Sequence, residues 1–345
     1  MNHNETDIGT REAKAGECVS IGKLKLENPF VLAPLAGITD APMRRICRQM
    51  GASLTYSEMV SAKGMYYGDR KTEKLLALYD DEGPTACQIF GSEPEVIAFA
   101  AEKLEQYGHA LLDINMGCPM PKVVRNGDGS ALLKDPVRIE RIVAAAVAHT
   151  TKPVTAKIRI GYGAGENNAV ETAKAIEAGG GAAVAVHGRT RAQLYTGKAD
   201  WDAIAAVKQA VKIPVIGNGD VTDVSSARAM MEQTGCDLVM IGRGSYGAPF
   251  VFREIAAALS GEEYVPPTVE EKMSVMLEHI RLMLDLSEKS EELAMHEARK
   301  HAVWYMNGYY GSAKFRGRCY QLSSYAEAEA LAEEFIALQR ERGAE

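Results

Sequence analysis

No stretch of the 345-residue sequence approaches the roughly 18 consecutive apolar residues of a membrane span, so a membrane-spanning helix is not expected. The opening segment MNHNETDIGTREAKAGE lacks the apolar core of a secretory signal and reads as a polar tail over residues 1–19. None of the six cysteines, at 18, 47, 87, 118, 236 and 319, sits in a CxxC pair, which argues against a zinc site; no metal is expected. With no secretory signal, the default is a reducing, cytoplasmic setting with free thiols. Net positive charge is also lacking. The formal charge of −7 is a poor starting point for nucleic-acid binding unless positive charge is gathered locally. Apolar residues at 46% and charged residues at 25% describe a globular chain rather than a disordered one.

What is present is alternation. Short apolar or β-branched runs predict strands near 30–33, 54–58, 86–90, 111–115, 154–158, 183–187, 214–217 and 238–241. Helical segments with apolar spacings of three and four lie between them. One is predicted over 93–107, capped by Ser92 and stopped by Gly108. Eight such units at 25–30 residues each suit a (β/α)8 barrel, a TIM barrel, over 20–258, with a doubly wound sheet as the runner-up. A linker with two prolines follows at 259–267, and 268–345 reads as a small all-α domain.

A barrel places its chemistry at the C-terminal ends of its strands. Those ends carry Pro34-Leu35-Ala36-Gly37, Glu58, Gln88, Asn115 with Cys118, Lys157 with Arg159, His187-Gly188-Arg189, Asn218-Gly219-Asp220 and Gly242-Arg243-Gly244. The last two groups follow strands seven and eight, where such barrels commonly hold phosphate; glycines admit the backbone and Arg243 adds charge. Cys118 stands in a loop stiffened by Pro119, and a thiol mostly protonated at neutral pH can act as an acid. The bland alternative is a buried structural cysteine. Lys157 and Arg159 alternate on one strand and so share a face; they either form structural salt bridges, with Glu58 a candidate partner, or stabilise negative charge on a ligand. His187 is either a core histidine or part of that site.

The missing positive charge reappears near the C-terminus. Residues 296–320 carry Arg299, Lys300, Lys314, Arg316 and Arg318 against Glu297 alone, a net +4, interleaved with Trp304, Tyr305, Tyr309, Tyr310 and Phe315. Charge and stacking together suit RNA, although a solvated helix face over an aromatic core gives the same pattern.

The strings LAPLAGITDAPMRR, DINMGCPMPKVV, KIRIG, HGRTRAQLYTGKADW, VIGNGDV and IGRGSYGAPF, in this order, identify the sequence as similar to the bacterial tRNA-dihydrouridine synthases, most like the DusB branch. The resemblance runs from about 22 to 322. It implies an FMN-dependent barrel enzyme that reduces a uridine of tRNA to 5,6-dihydrouridine, with NADPH, or NADH in its place, reducing the flavin. Hydride would pass from flavin N5 to carbon 6 of the uracil, and Cys118 would protonate carbon 5. By the same motifs Pro34, Leu35, Ala36, Gln88, Lys157, His187, Asn218, Gly219, Asp220, Gly242 and Arg243 would bind FMN. Asn115 and Arg159 would meet the uracil, with His187 lining the same pocket, while RKHAVWYMNG and AKFR look like the family's tRNA-binding helical domain. A monomer is expected. Two rivals stay open: a flavin barrel similar to dihydroorotate dehydrogenase, acting on a free dihydropyrimidine, and a non-catalytic RNA-binding barrel.

Overall fold

The computed structural model describes residues 19–343; the polar tail and Cys18 lie outside the described residues. Eight parallel strands form the barrel: β1 (Phe30–Leu32), β2 (Thr55–Tyr56), β3 (Thr85–Phe90), β4 (Leu111–Met116), β5 (Val154–Arg159), β6 (Ala183–His187), β7 (Val215–Asn218) and β8 (Leu238–Ile241). Hydrogen bonding runs β1-β8-β7-β6-β5-β4-β3-β2. The ring closes where Val31 bridges Leu54 in parallel and the Leu32 N–H donates to the Leu54 carbonyl at 2.9 Å. That closure removes the doubly wound alternative.

The period of two along each strand builds two cores. Leu112, Ile114, Ala156 and Ile158 point outward and pack under the surrounding helices. Leu111, Ala183, Ala185, Ile216, Leu238 and Met240 point inward. A hairpin of Val19–Ile21 and Leu24–Leu26, which the sequence did not announce, adds Ile21 and Leu26 to that inner cluster and plugs the barrel floor. Towards the strands' C-terminal ends the inward positions turn polar: Gln88, Asp113, Asn115, Thr155, Lys157, Arg159 and His187.

Some boundaries differ from the pattern reading. The strand expected over 54–58 shortens to β2, and beyond it an unexpected two-residue strand, Val60–Ser61, pairs with the end of β3. The helix expected over 93–107 spans Pro94–Lys103 with Glu93 at its N-cap, followed by a 3-10 turn at Leu104–Gln106. Ser92 gives its carbonyl to Arg138 Nε instead of capping.

After the barrel come helices Val269–Asp285, Glu291–Tyr305, Ser312–Cys319 and Tyr325–Gly343. Their core holds Met273, Met276, Tyr305, Phe315 and Phe335, and it takes in Ile46 and Phe250 from the barrel. Within it the rings of His279 and His301 lie 4.3 Å apart, and neither Nε2 has a hydrogen-bond partner among the described residues. Burial first, and the charge of Lys300 second, push His279 down to about 3; His301 is also held well below the usual histidine range. Both stay neutral in the folded chain while an unfolded histidine titrates near 6.5. The unfolded state therefore takes up protons first on acidification. The stability is complete above pH ~6.5 and is lost as pH falls towards 3, by at most about 1.4 kcal/mol per histidine per pH unit. Thermal melts at pH 7 and 5.5 should show a smaller acid-induced drop in Tm for His301→Phe than for the wild type. Equal drops would remove the pair as the cause.

Candidate active site

The polar ends of the strands surround a cavity of about 520 Å³ at the barrel mouth, within the size range of small-molecule sites. It is lined by Pro34, Leu35 and Ala36 after β1, Gln88 on β3, Asn115 and Cys118 at β4, Lys157 and Arg159 on β5, His187 on β6, Asn218, Gly219 and Asp220 at β7, and Gly242 and Arg243 after β8. The fourteen barrel residues assigned to flavin, uracil and proton donation thus meet in one space, whereas Gly37 and Glu58, also at strand ends, do not line it.

The thiol loop is held from both sides. The Cys118 N–H donates to Asn115 Oδ1 at 2.8 Å, and the Cys118 carbonyl accepts from Ser130 N at 3.1 Å and Ser130 Oγ at 2.9 Å. Gly129, at φ +58°, passes so close that a Cβ there would stand 2.9 Å from the Cys118 carbonyl oxygen, so only glycine fits. Cys118 is 9% exposed and borders the cavity. Burial pushes its thiol above the usual range, against the opposing pull of the Met120 N–H and the charges of Arg159 and Lys157. It is therefore a protonated thiol facing a cavity.

The two cations do not pair with Glu58, which accepts from the Gly37 N–H. Arg159 is satisfied by carbonyls: Nε donates to Gly117 at 3.0 Å and Nη1 to Thr190 at 2.9 Å and Leu194 at 2.8 Å. Lys157 Nζ donates to Asn218 Oδ1 at 3.1 Å. Burial, then repulsion from Arg159, push Lys157 down to about 8. His187 is driven far below its usual range by burial and by the neighbouring Lys157 and Arg159 charges, so it is neutral, and its Nε2 accepts from Arg189 Nη1 at 3.4 Å.

After β7 and β8 the glycine backbone packs closely against neighbouring loops, leaving no room for side chains. Gly219 sits at φ +125°, where a Cβ would lie 2.7 Å from Ala199 Cβ, and a Cβ on Gly244 would strike the Val221 carbonyl. Asp220 is already occupied. Its carboxylate accepts from Arg189 Nη2 at 2.8 and 2.7 Å and from the Ala199 N–H at 2.7 Å, with Arg243 at 3.5 Å. Burial raises Asp220, but these donors outweigh it and hold the carboxyl below the usual range. Arg189, a strand-end residue given no role from the sequence, is almost completely buried, and Tyr195 was not anticipated. Tyr195 is half exposed at the cavity edge, with the guanidinium carbons of Arg243 and Arg159 4.7 and 5.6 Å from its ring. Its signal was an aromatic residue inside the RTRAQLYTG motif.

The five C-terminal cations do not line the cavity. Arg318 pairs with Glu334, and Arg299 Nε donates to the Leu322 carbonyl at 2.7 Å. Lys300 reaches the Gly37 carbonyl on the β1 loop. Lys314 and Arg316 form no ion pair among the described residues. Four residues beyond Lys300, Trp304 stacks on Tyr246 of the cavity wall at 4.4 Å.

The dihydrouridine synthase family matches residues 31–341. The chain belongs to that family. It is accordingly a flavin-dependent oxidoreductase. It is 42% identical over 301 residues to a probable tRNA-dihydrouridine synthase of Rickettsia conorii, covering 87% of this chain and 90% of the other. It is 41% identical over 327 residues to tRNA-dihydrouridine synthase B of Pseudomonas aeruginosa, covering 94% and 98%. Among solved structures it resembles histamine dehydrogenase from Rhizobium sp. 4-9, with TM-score 0.58 and 12% identity over 78% of this chain and 51% of that one. It also resembles a variant of NCR from Zymomonas mobilis, with TM-score 0.52 and 14% identity over 75% and 95%. At such identities the likeness concerns the barrel fold.

Proposed function

We propose that the chain is a tRNA-dihydrouridine synthase that binds FMN in the barrel mouth, draws electrons from NADPH, with NADH as the alternative reductant, and uses Cys118 as the proton donor. Family membership gives the reaction class. The observation that carries the assignment of roles is the protonated Cys118 thiol sharing one cavity with Lys157, Arg159 and the glycine-lined end.

The residues fit a flavin nucleotide. Leu35, Met59 and Met240 supply apolar walls, and Gln88, Lys157 and Asn218 supply polar groups for a ring edge. Gly219, Gly242 and Gly244 admit backbone N–H groups to phosphate oxygens, and Arg243, 45% exposed at its side chain, supplies charge there. Asp220 does not suit a phosphate contact, and its role here is to orient Arg189 and attract Arg243. Bound and reduced, the flavin supplies the hydride for the uracil 5,6 double bond.

The chain's residues do the rest. A base stacked in RNA cannot enter the cavity, so the target uridine must turn out of the helix. Asn115 and His187 offer hydrogen bonds to its edge. Arg159 has no acceptor for Nη2 among the described residues. Its charge would stabilise the negative charge that builds on the uracil as hydride arrives. Cys118 then delivers its proton. The raised thiol suits this role, because an acid must hold its proton at neutral pH.

The assay is formation of dihydrouridine in unmodified tRNA by the purified protein with FMN and NADPH, mapped by position. Turnover of free dihydropyrimidines with tRNA untouched would favour the small-molecule dehydrogenase instead. Binding of tRNA rests on the cations left free. Lys314→Glu with Arg316→Glu should weaken tRNA binding and reduce the slope of log K against log salt by about 2. Arg318→Glu should do less, since Arg318 is already paired with Glu334. An unchanged slope in the double variant would make the patch a solvated face only. We also propose a cytoplasmic monomer.

A further inference from the structure

One layer below the cavity, a carboxylate stands inside the barrel. Asp113 is completely buried on β4, and its register partners on the neighbouring strands are Gln88 and Thr155. It forms no ion pair among the described residues. Oδ2 accepts from Gln88 Nε2 at 2.7 Å, and Oδ1 accepts from Thr155 Oγ1 at 2.6 Å. Above it, Gln88 Oε1 accepts from Asn115 Nδ2 at 2.8 Å. Asn115 Oδ1 in turn accepts the N–H groups of Gly117 at 3.1 Å and Cys118 at 2.8 Å. An unbroken series of hydrogen bonds therefore runs from Asp113 to the backbone of the thiol.

Burying an unpaired carboxyl costs several kcal/mol that an aliphatic side chain would not. The polarity of the series explains the choice. A primary amide can be turned over, exchanging donor for acceptor. An ionised carboxylate only accepts. It forces the Gln88 NH2 towards itself and the Gln88 oxygen towards Asn115. That oxygen forces the Asn115 NH2 towards Gln88 and the Asn115 oxygen towards the thiol loop. Turn Gln88 over, and two NH2 groups collide; turn Asn115 as well, and the N–H groups of Gly117 and Cys118 lose their acceptor. Burial raises the Asp113 carboxyl to about 6, against the bonds from Gln88 and Thr155 and the charge of Lys157, so it is ionised at neutral pH.

We propose that Asp113 is a positioning residue of the reaction: it sets the orientation of the Gln88 and Asn115 amides and thereby holds Cys118 at the cavity. The inference rests on the reading of Cys118 as proton donor. Two variants separate acceptor from bulk. Asp113→Leu removes the acceptor at similar volume, whereas Asp113→Asn can still offer Gln88 an oxygen. In the holoenzymes, reduction of the flavin by NADPH and its reoxidation by saturating unmodified tRNA are timed separately. Independently, alkylation of Cys118 by iodoacetamide is followed by peptide mass spectrometry.

For Asp113→Leu, reoxidation should slow by about tenfold or more, the cost of a slightly misplaced group. Flavin reduction should slow less than reoxidation, since Gln88 meets the flavin but the thiol acts only in the second step, and Cys118 should alkylate several-fold faster as its loop loosens. Asp113→Asn, which keeps an oxygen for Gln88 but can be turned over, should recover part of both effects. If Asp113→Leu yields no soluble protein, Asp113→Ser carries the same comparison. Equal slowing of both half-reactions, wild-type alkylation, or no recovery in Asp113→Asn would overturn the proposal. A wild-type enzyme that unmodified tRNA cannot reoxidise would overturn the functional reading instead, and alkylation, which needs no turnover, would still judge Asp113.

Discussion

Cys118→Ala is expected to retain flavin and tRNA while losing dihydrouridine formation by about 100-fold or more, the usual span for removing a positioned acid. The side chain's contact with the loop is with the Met120 N–H; the loop's anchoring bonds are made by the backbone. Asn115 and Ser130 grip its backbone N–H and carbonyl, and Gly129 fixes the approach, so alanine should leave the loop in place. The loss should fall on reoxidation of the reduced flavin by tRNA, because that step consumes the proton, and not on flavin reduction. Stopped-flow absorbance of the two half-reactions distinguishes them. Wild-type reoxidation in the alanine variant would remove Cys118 from the mechanism and pass the acid role to water or another group.

The second large effect belongs to Gly247. It follows β8 at φ +60°, and a Cβ there would overlap the backbone of Trp304 and Tyr305. Backbone cannot rotate aside, so the Glu291–Tyr305 helix would have to retreat from the barrel. Retreat would separate Trp304 from Tyr246 and Lys300 from the Gly37 carbonyl. A left-handed conformation adds roughly 1 kcal/mol of its own for a residue with a side chain. Gly247→Ala should thus lower stability by about 3 kcal/mol, the scale of an overpacked core, and raise the KM for tRNA. Urea unfolding followed by tryptophan fluorescence reads it directly, with Trp304 one of two tryptophans. A midpoint equal to the wild type would show that the helix does not rest on Gly247.

Much of the site was legible because a barrel converts strand order into space. Once eight strands were read, their polar C-terminal residues had to converge, and Gln88, Asn115, Lys157, His187 and Asn218 do. Chemistry that crosses between loops was less legible. Asp220 is spaced for a ligand, yet Arg189, thirty-one positions away, takes its carboxylate. Lys300 reads as an RNA contact in a basic run, yet it bonds a carbonyl 263 positions away. Both outcomes depend on which side chains meet across the barrel mouth, and no local pattern records that. The floor hairpin was hidden for another reason: VSIGKLKL is too short for its period to stand out beside a polar tail.

The core of the C-terminal helices has one further consequence. Because Ile46 and Phe250 complete it from the barrel side, the four helices are not a portable module. Grafted onto another scaffold, they would present a raw apolar face to water and clump. An engineer wishing to retarget this enzyme should exchange side chains on the helices' outer surface and leave the seam whole.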